Sequence, residues 1–316
     1  MIQKKRVIAL GFFDGLHIGH AALMKRVLEI GEDTKLVPSV STFDTQPRSL
    51  VGSKTIPLIN SPEDRAGLLR RVFGIEDIIF LHFDKTTASM TWSKFIDHLV
   101  DEFGARHLVA GKDFKFGCGG EGNSELLKQV CAKIGIGCDI IPDVTYDGIR
   151  SSSTYIRELL VSGDIERANA FLGHPHVLTD VVRYGYKLGR KLGTPTINMR
   201  FAPGVLVPAY GVYATKIYLD DGVVQNGVTN IGVRPTVENS ENITAETHIL
   251  NFQRNLYGHQ VRVEFHKRIR PEIKFGNIEE LKEQIKKDCK TAGKVLQDTP
   301  DADRYGYNAS GASDRD

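Results

Sequence analysis

Apolar positions recur along this chain in two rhythms. In the first half, short apolar runs alternate with segments of helical period. VIALGFF (7–13) reads as a strand and HAALMKRVLEIG (20–31) as a helix ending near Gly31. KLVPSVSTF (35–43), DIIFLHF (77–83), HLVAG (107–111) and GCDIIPDV (137–144) read as further strands. Between them fall SPEDRAGLLRRVFG (61–74), with Ser61 as N-cap and Pro62 at the first helical position, and TWSKFIDHLVDEFG (91–104), capped by Thr91. A glycine-rich loop, GKDFKFGCGGEGN (111–123), precedes the helix SELLKQVCAKIG (124–135). SSTYIRELLVSG (152–163) and DIERANAFLG (164–173) read as two short helices. Strands alternating with helices of this length predict a parallel sheet covered on both faces, with ligands beyond its carboxyl strand ends.

From about Leu178 the period shortens to two. VLTDVVRYGY, GVYATKIYL, GVVQNGVTNIG, AETHILNF and GHQVRVEFHKRIR follow one another, with Asp220–Asp221–Gly222 as a hairpin turn. Helical spacing returns only at NIEELKEQIKKDCKTAGKVL (277–296). The expected fold is therefore α/β: an N-terminal doubly wound parallel-sheet domain, 1–174, and a C-terminal small antiparallel β-barrel with a terminal helix, 175–294. Residues 295–316, polar and turn-rich, read as a disordered tail. No internal repeat is present.

Composition narrows the classes of function. At 316 residues two domains are expected, and 41% hydrophobic residues suffice for full cores. Lys plus Arg is 41 against 39 Asp plus Glu, so nothing points to a nucleic-acid or membrane surface, and an anionic ligand must be met by local groups. The four cysteines, Cys118, Cys131, Cys138 and Cys289, match neither a zinc spacing nor a disulfide framework. The basic-then-apolar start breaks into charge at Asp14 without a cleavage site, and no run nears the ~20 apolar residues of a membrane span. A cytoplasmic location is expected.

The chemistry begins at GFFDGLHIGHAAL (11–23), where a strand hands over to a helix. A helix start offers free N–H groups and a favourable dipole to an anion, and Gly19 leaves the backbone open to a phosphate. His17 and His20, three apart, share a face and can stabilise charge on a phosphoryl group. A metal pair or an ordinary packed pair are the competing readings. In the second half, GYKLGRKLGTPTIN (185–198) packs glycines and cations around Pro195-Thr196-x-Asn198. Such a segment can cradle phosphates, and the Thr196 hydroxyl and Asn198 carbonyl suit Mg²⁺. It is equally a basic β-turn. No Walker sequence occurs, so this is not a P-loop kinase.

These segments, in this order, resemble the bacterial bifunctional riboflavin kinase/FAD synthetase family over about residues 6 to 290. G-F-F-D-G-x-H-x-G-H-x-x-L resembles its nucleotidyltransferase motif, TFDTQP (42–47) its second phosphate-side segment, VAGKDFKFG (109–117) its flavin-side loop and SSTYIR (152–157) a further signature. The resemblance implies transfer of AMP from ATP to FMN. On it, Gly11, Asp14, Gly19, His17 and His20 meet ATP, Ser153, Thr154 and Arg157 hold phosphates, and Asp113 lies at the flavin. The motif around 185–198 is similar to the riboflavin kinase signature G-x-x-x-G-x-P-T-x-N, and the likeness runs through PAYGVYA, GVTNIGVRPT, ETHILNF and YGHQVRVEFHKRIRPE. It implies Glu246 as general base, Thr196 and Asn198 as holders of Mg²⁺–ATP, Gly189, Lys191 and Gly193 as the phosphate cradle, and Arg270 near the flavin. Riboflavin, FMN and ATP are the implied partners, FMN and FAD the products, with no nucleic acid or membrane and at most weak self-association.

Departures set the alternatives. Gln46 stands where the family usually has His, and Cys118–Gly122 where its loop usually holds Arg, which leaves open a monofunctional riboflavin kinase with an impaired first domain. Thr194 and Asp180 replace the usual Phe and Gly without removing a chemical group. A flavin- or nucleotide-binding regulator without turnover, and a nucleotidyltransferase for another phosphorylated substrate, are the readings from other classes.

Overall fold

The computed structural model describes residues 4–44, 56–184, 193–234, 242–297 and 299. They gather into two compact units. One holds the residues up to Leu58 with Arg65–Ser152, the other Ile59–Asp64 with the residues from Ser153 onward.

The first unit is the expected parallel sheet. Its elements run β1 (Arg6–Leu10), α1 (Ile18–Thr34), β2 (Val37–Phe43), α2 (Pro62–Phe73), β3 (Asp77–Leu81), α3 (Lys85–Ala88), α4 (Trp92–Asp97) and β4 (Ala105–Gly111). The hairpin β5 (Lys115–Phe116) and β6 (Gly122–Asn123) leads to α5 (Ser124–Ile134) and β7 (Gly137–Ile141), and a second hairpin pairs β8 (Thr145–Tyr146) with β9 (Ile149–Arg150). The main sheet has the order β3-β2-β1-β4-β7, all parallel. The order reverses between β1 and β4, so the crevice at their carboxyl ends is the switch point where such sheets bind ligands. Val7–Leu10 are buried on both faces, as helices on both sides require. Ser61 caps α2 as its sequence predicts: its hydroxyl accepts the Asp64 N–H at 3.0 Å. The segment expected as one helix from Thr91 is α4 continued by a π-helical stretch, His98–Glu102.

The second unit opens with α6 (Ser153–Ser162) and α7 (Ile165–Leu172). The expected boundary at 174 puts these helices with the parallel sheet, but their contacts put them with the barrel. Asn169 of α7 is one tie, donating from Nδ2 to the Phe265 carbonyl and accepting the His176 N–H, each at 2.8 Å. The strands are β10 (His176–Val181), β11 (Thr196–Met199), β12 (Gly211–Leu219), β13 (Val224–Arg234), β14 (Asn242–Ile249) and β15 (Gln260–Arg270), in the antiparallel order β10-β15-β12-β13-β14-β11. An antiparallel bridge between Arg183 and Asn198 joins the two edges and closes the barrel. Asp180 secures that seam by accepting from the Arg200 N–H at 2.9 Å and pairing with Arg183 at 3.1 Å. Its carboxylate thus has a structural use that a glycine there would not supply. Inside, the hydroxyls of Thr215, Thr229 and Thr247 form a ladder with 2.8 Å steps, so each buried hydroxyl is satisfied.

The terminal helix α8 (Ile278–Gln297) buries Ala292 and Leu296 against Val212, Ala214 and Val228. Residues 295–297, expected in the tail, are thus helical and in part core; the tail beyond lies outside the described residues save Thr299.

One buried group predicts how this unit responds to acid. His176 is fully buried beside Phe265, and neither ring nitrogen has a hydrogen-bond partner among the described residues. Burial, with a smaller push from His174, lowers its pKa to about 3. Below pH 6.5 the unfolded chain binds a proton there and the folded chain does not, so stability falls with pH down to about 3, by about 1.4 kcal/mol per pH unit. In His176→Phe the second unit is expected to lose that acid sensitivity, read as a flatter dependence of the denaturant midpoint on pH between 6.5 and 4. An unchanged slope would refute the assignment.

Candidate active sites

The loop between β1 and α1 is built under strain. Phe13, Gly15 and Leu16 take φ of 55°, 84° and 46°, in the left-handed region. Glycine adopts it freely, whereas Phe13 and Leu16 cost of order 1–3 kcal/mol each and hold it because both are buried. The loop delivers His17 as the N-cap of α1, its Nδ1 accepting the Gly19 N–H at 3.2 Å. A Cβ on Gly19 would lie 3.0 Å from the His17 ring. The expected opening at Gly19 is therefore narrowed by the imidazole, and the Gly19 N–H is taken by His17. The two histidines do share a face: their rings stack with centroids 3.7 Å apart, and Phe13 sets its ring edge-on to His20 at 5.2 Å. Burial, then His17 and Arg65, push the His20 pKa well below its ordinary value, so the ring is neutral at pH 7. Its Nδ1 is buried and has no hydrogen-bond partner among the described residues. Asp14 is buried in the same loop, and the Gly11 N–H bonds the Ser41 carbonyl.

Arg65 escaped the sequence reading, because an arginine in the first turn of an amphipathic helix looks like solvated surface. It is fully buried beneath the histidine loop, and its Nη1 donates to the Phe12 and Phe43 carbonyls and to Thr42 Oγ1, at 2.8–2.9 Å.

On the other side of the switch point, Asp113 follows β4 and accepts from Arg150 at 2.7 Å, while Arg150 also pairs with Asp143. The glycine-rich loop beyond it serves packing. Gly117, at φ 78°, lies so close to α4 that a Cβ would sit 2.8 Å from the Trp92 backbone. Glu121 accepts the Trp92 N–H at 3.0 Å, so the acidic residue in this loop supports a helix start. Ser153, Thr154 and Arg157 lie in the first two turns of α6, in the second unit. Gln46 lies outside the described residues.

In the barrel, β11 and β14 run side by side with Asn198 opposite Glu246 and Thr196 opposite His248. Alternate strand positions share a face, so Thr196, Asn198, Glu246 and His248 line one surface although about 50 residues separate their segments. Asn230, opposite Glu246 on β13, extends it. His248 Nδ1 meets the Pro195 carbonyl at 2.9 Å and fixes the turn before Thr196. A cavity of about 70 Å³ meets this surface only at Thr196 and is otherwise lined by Ile197, Thr247 and Ile249 of the alternate face with Phe252 and Tyr257. Hydroxyl, amide and carboxylate oxygens are a donor set that fits Mg²⁺. Among the described residues no cluster of three His, Cys, Asp or Glu could hold a metal. Gly193 takes φ 78° just ahead, whereas Gly189 and Lys191 lie outside the described residues.

Arg270, expected near the flavin, is tied to the terminal helix. Its guanidinium pairs with Asp288 of α8 at 2.9–3.2 Å, and Asp288 is 3% exposed. Asp288→Ala would leave that cation partly buried without its partner and is expected to cost about 3–5 kcal/mol, read as a lower urea midpoint. A change under 1 kcal/mol would refute a structural pair.

Residues 1–155 match the family model described as FAD synthetase, and residues 172–296 that described as riboflavin kinase. A bifunctional riboflavin kinase/FMN adenylyltransferase of Bacillus subtilis (strain 168) is 37% identical over 295 residues, covering 92% of each chain. Its namesake from Escherichia coli (strain K12) is 35% identical over 294 residues, again 92% of each. Among solved structures, a protein described as a macrolide-efflux protein from Streptococcus pneumoniae superposes with a TM-score of 0.80 at 29% identity, covering 92% of this chain and 94% of that one. Among the described residues no helix is long and apolar enough to cross a membrane. With two family models in the expected order and relatives this similar over nearly the full length, the chain belongs to the bifunctional riboflavin kinase/FMN adenylyltransferase family.

Proposed function

We propose that this chain phosphorylates riboflavin to FMN and then adenylylates FMN to FAD, with kinase chemistry in the barrel and AMP transfer at the parallel sheet. The observation that carries the reading is that β11 sets Asn198 opposite Glu246 in the same chain that stacks His17 on His20. In the kinase step Glu246 accepts the proton of the ribityl 5′-hydroxyl, whose oxygen attacks the γ-phosphorus of ATP as the bond to ADP breaks. Thr196 and Asn198 would hold Mg²⁺, which when bound offsets phosphate charge. In the second step the FMN phosphate attacks the α-phosphorus of a second ATP and pyrophosphate leaves. His20 and His17 stabilise the charge that builds there, Asp113 lies on the flavin side, and Ser153, Thr154 and Arg157 hold phosphates. The relatives' bifunctional names and the match of both family models favour two activities over a kinase alone. The reaction is assigned to the cytoplasm and to small-molecule partners.

The test is one incubation. Pure protein with riboflavin, ATP and Mg²⁺ is expected to yield FMN first and FAD after it, resolved by chromatography. Absence of FMN would sink the kinase assignment, and FMN that never proceeds to FAD would sink the second activity.

A further inference from the structure

Arg65 has a geometry that packing alone does not require. A fully buried guanidinium is costly, and among the described residues this one has no ion-pair partner. Asp14 and Asp44 act on its charge from a distance at which neither forms a hydrogen bond with it among the described residues. Its Nη1 gathers three acceptors from two segments: the Phe12 carbonyl after β1, and Thr42 Oγ1 and the Phe43 carbonyl at the end of β2. Thr42 Oγ1 also donates to the Phe12 carbonyl at 2.7 Å, and the guanidinium lies over the Phe12 ring at 4.5 Å. Phe12 directly precedes the left-handed stretch at Phe13, Gly15 and Leu16 that sets the position of His17. The strained loop is thus pinned at its entry by one side chain, and the pin anchors it to the end of β2, the strand beside β1. Nε and Nη2 are buried without partners among the described residues, so the side chain is held by these contacts through Nη1 and by the Phe12 ring.

We propose that Arg65 is a positioning residue for AMP transfer: by clamping Phe12 to the end of β2 it fixes the β1–α1 loop and, through it, the stacked His17 and His20. The proposal rests on the adenylyl-transfer reading above. It acts through the histidines and requires no contact with substrate.

Because the chain carries a second activity, the experiment has an internal control. FMN-to-FAD and riboflavin-to-FMN conversion are measured on the same preparations of the wild type, Arg65→Met and Arg65→Lys. Methionine keeps much of the volume and no donor, whereas a lysine ammonium brings three donors on one nitrogen, which matches the three acceptors around Nη1. Arg65→Met is expected to lower kcat for FAD formation about 100-fold, the scale of an ångström-sized misplacement of catalytic groups, with the KM for ATP and the kinase activity changed less than about threefold. Arg65→Lys is expected to recover at least about tenfold of that loss. FAD formation in Arg65→Met within about threefold of an active wild type would overturn the proposal alone. Parallel loss of both activities with a lowered Tm and no rescue by lysine would overturn it in favour of a purely structural role. A wild type that makes no FAD from FMN would refute the underlying reading, and the proposal with it.

Discussion

Glu246→Gln is expected to stop riboflavin phosphorylation while leaving conversion of supplied FMN to FAD intact. Glutamine keeps the shape of the side chain and its place in the register, with Asn198 on one side and Asn230 on the other, so β14 has no reason to move. What it removes is the proton acceptor, and positioned general bases contribute about 10²–10⁴-fold. The loss should fall on kcat, because the amide still occupies the carboxylate's volume. FMN formation within about tenfold of wild type would mean that another group takes the proton. Loss of FAD formation as well would break the division of labour between the two units.

The fold was legible because both halves keep their hydrophobic period over many elements. The run of apolar residues at 7–10 sits in a strand covered on both faces, and GVYATKIYL and QVRVEFHKRIR are barrel strands as their β-rich composition predicts, although GVYATKIYL is buried along its whole length. What could not be read was set by long-range pairing. The short strand at Thr196–Met199 carries too few residues for a period and exists because β14 and the Arg183 bridge supply its partners. Nor does periodicity state that Asn198 faces Glu246, since that register depends on a 47-residue loop closing correctly. Two side chains carry structural bonds that residue type does not reveal. Arg270, which the family resemblance sets near the flavin, pairs with Asp288, and Glu121, in the loop where the family usually holds Arg, accepts the first N–H of α4. Both are local electrostatic tasks that a one-dimensional reading cannot separate from catalysis.

His20→Ala should give the mirror image of the Glu246 result: FAD formation falling about 10²–10³-fold, the usual cost of removing one preorganised donor from a developing negative charge, with FMN formation retained. The choice of His20 over His17 follows from their bonds. His17 caps α1 through Gly19, so its loss would also cost about 1 kcal/mol of helix stability and blur the result. His20 makes no capping bond and is held by ring contacts with His17 and Phe13. Its environment suits the task, because burial and two neighbouring basic groups keep it neutral, so a negative charge growing beside it meets a fixed N–H dipole. Its share would also persist where an ordinary histidine has lost its proton, since a ring neutral through the whole range from pH 6.5 to 8 does not change its charge. His20→Asn, which restores a donor without the ring, is expected to recover part of the loss, and measuring both variants separates the hydrogen bond from the stacking. If alanine and wild type form FAD at similar rates, the histidine pair is packing, and AMP transfer must draw its charge stabilisation from other groups.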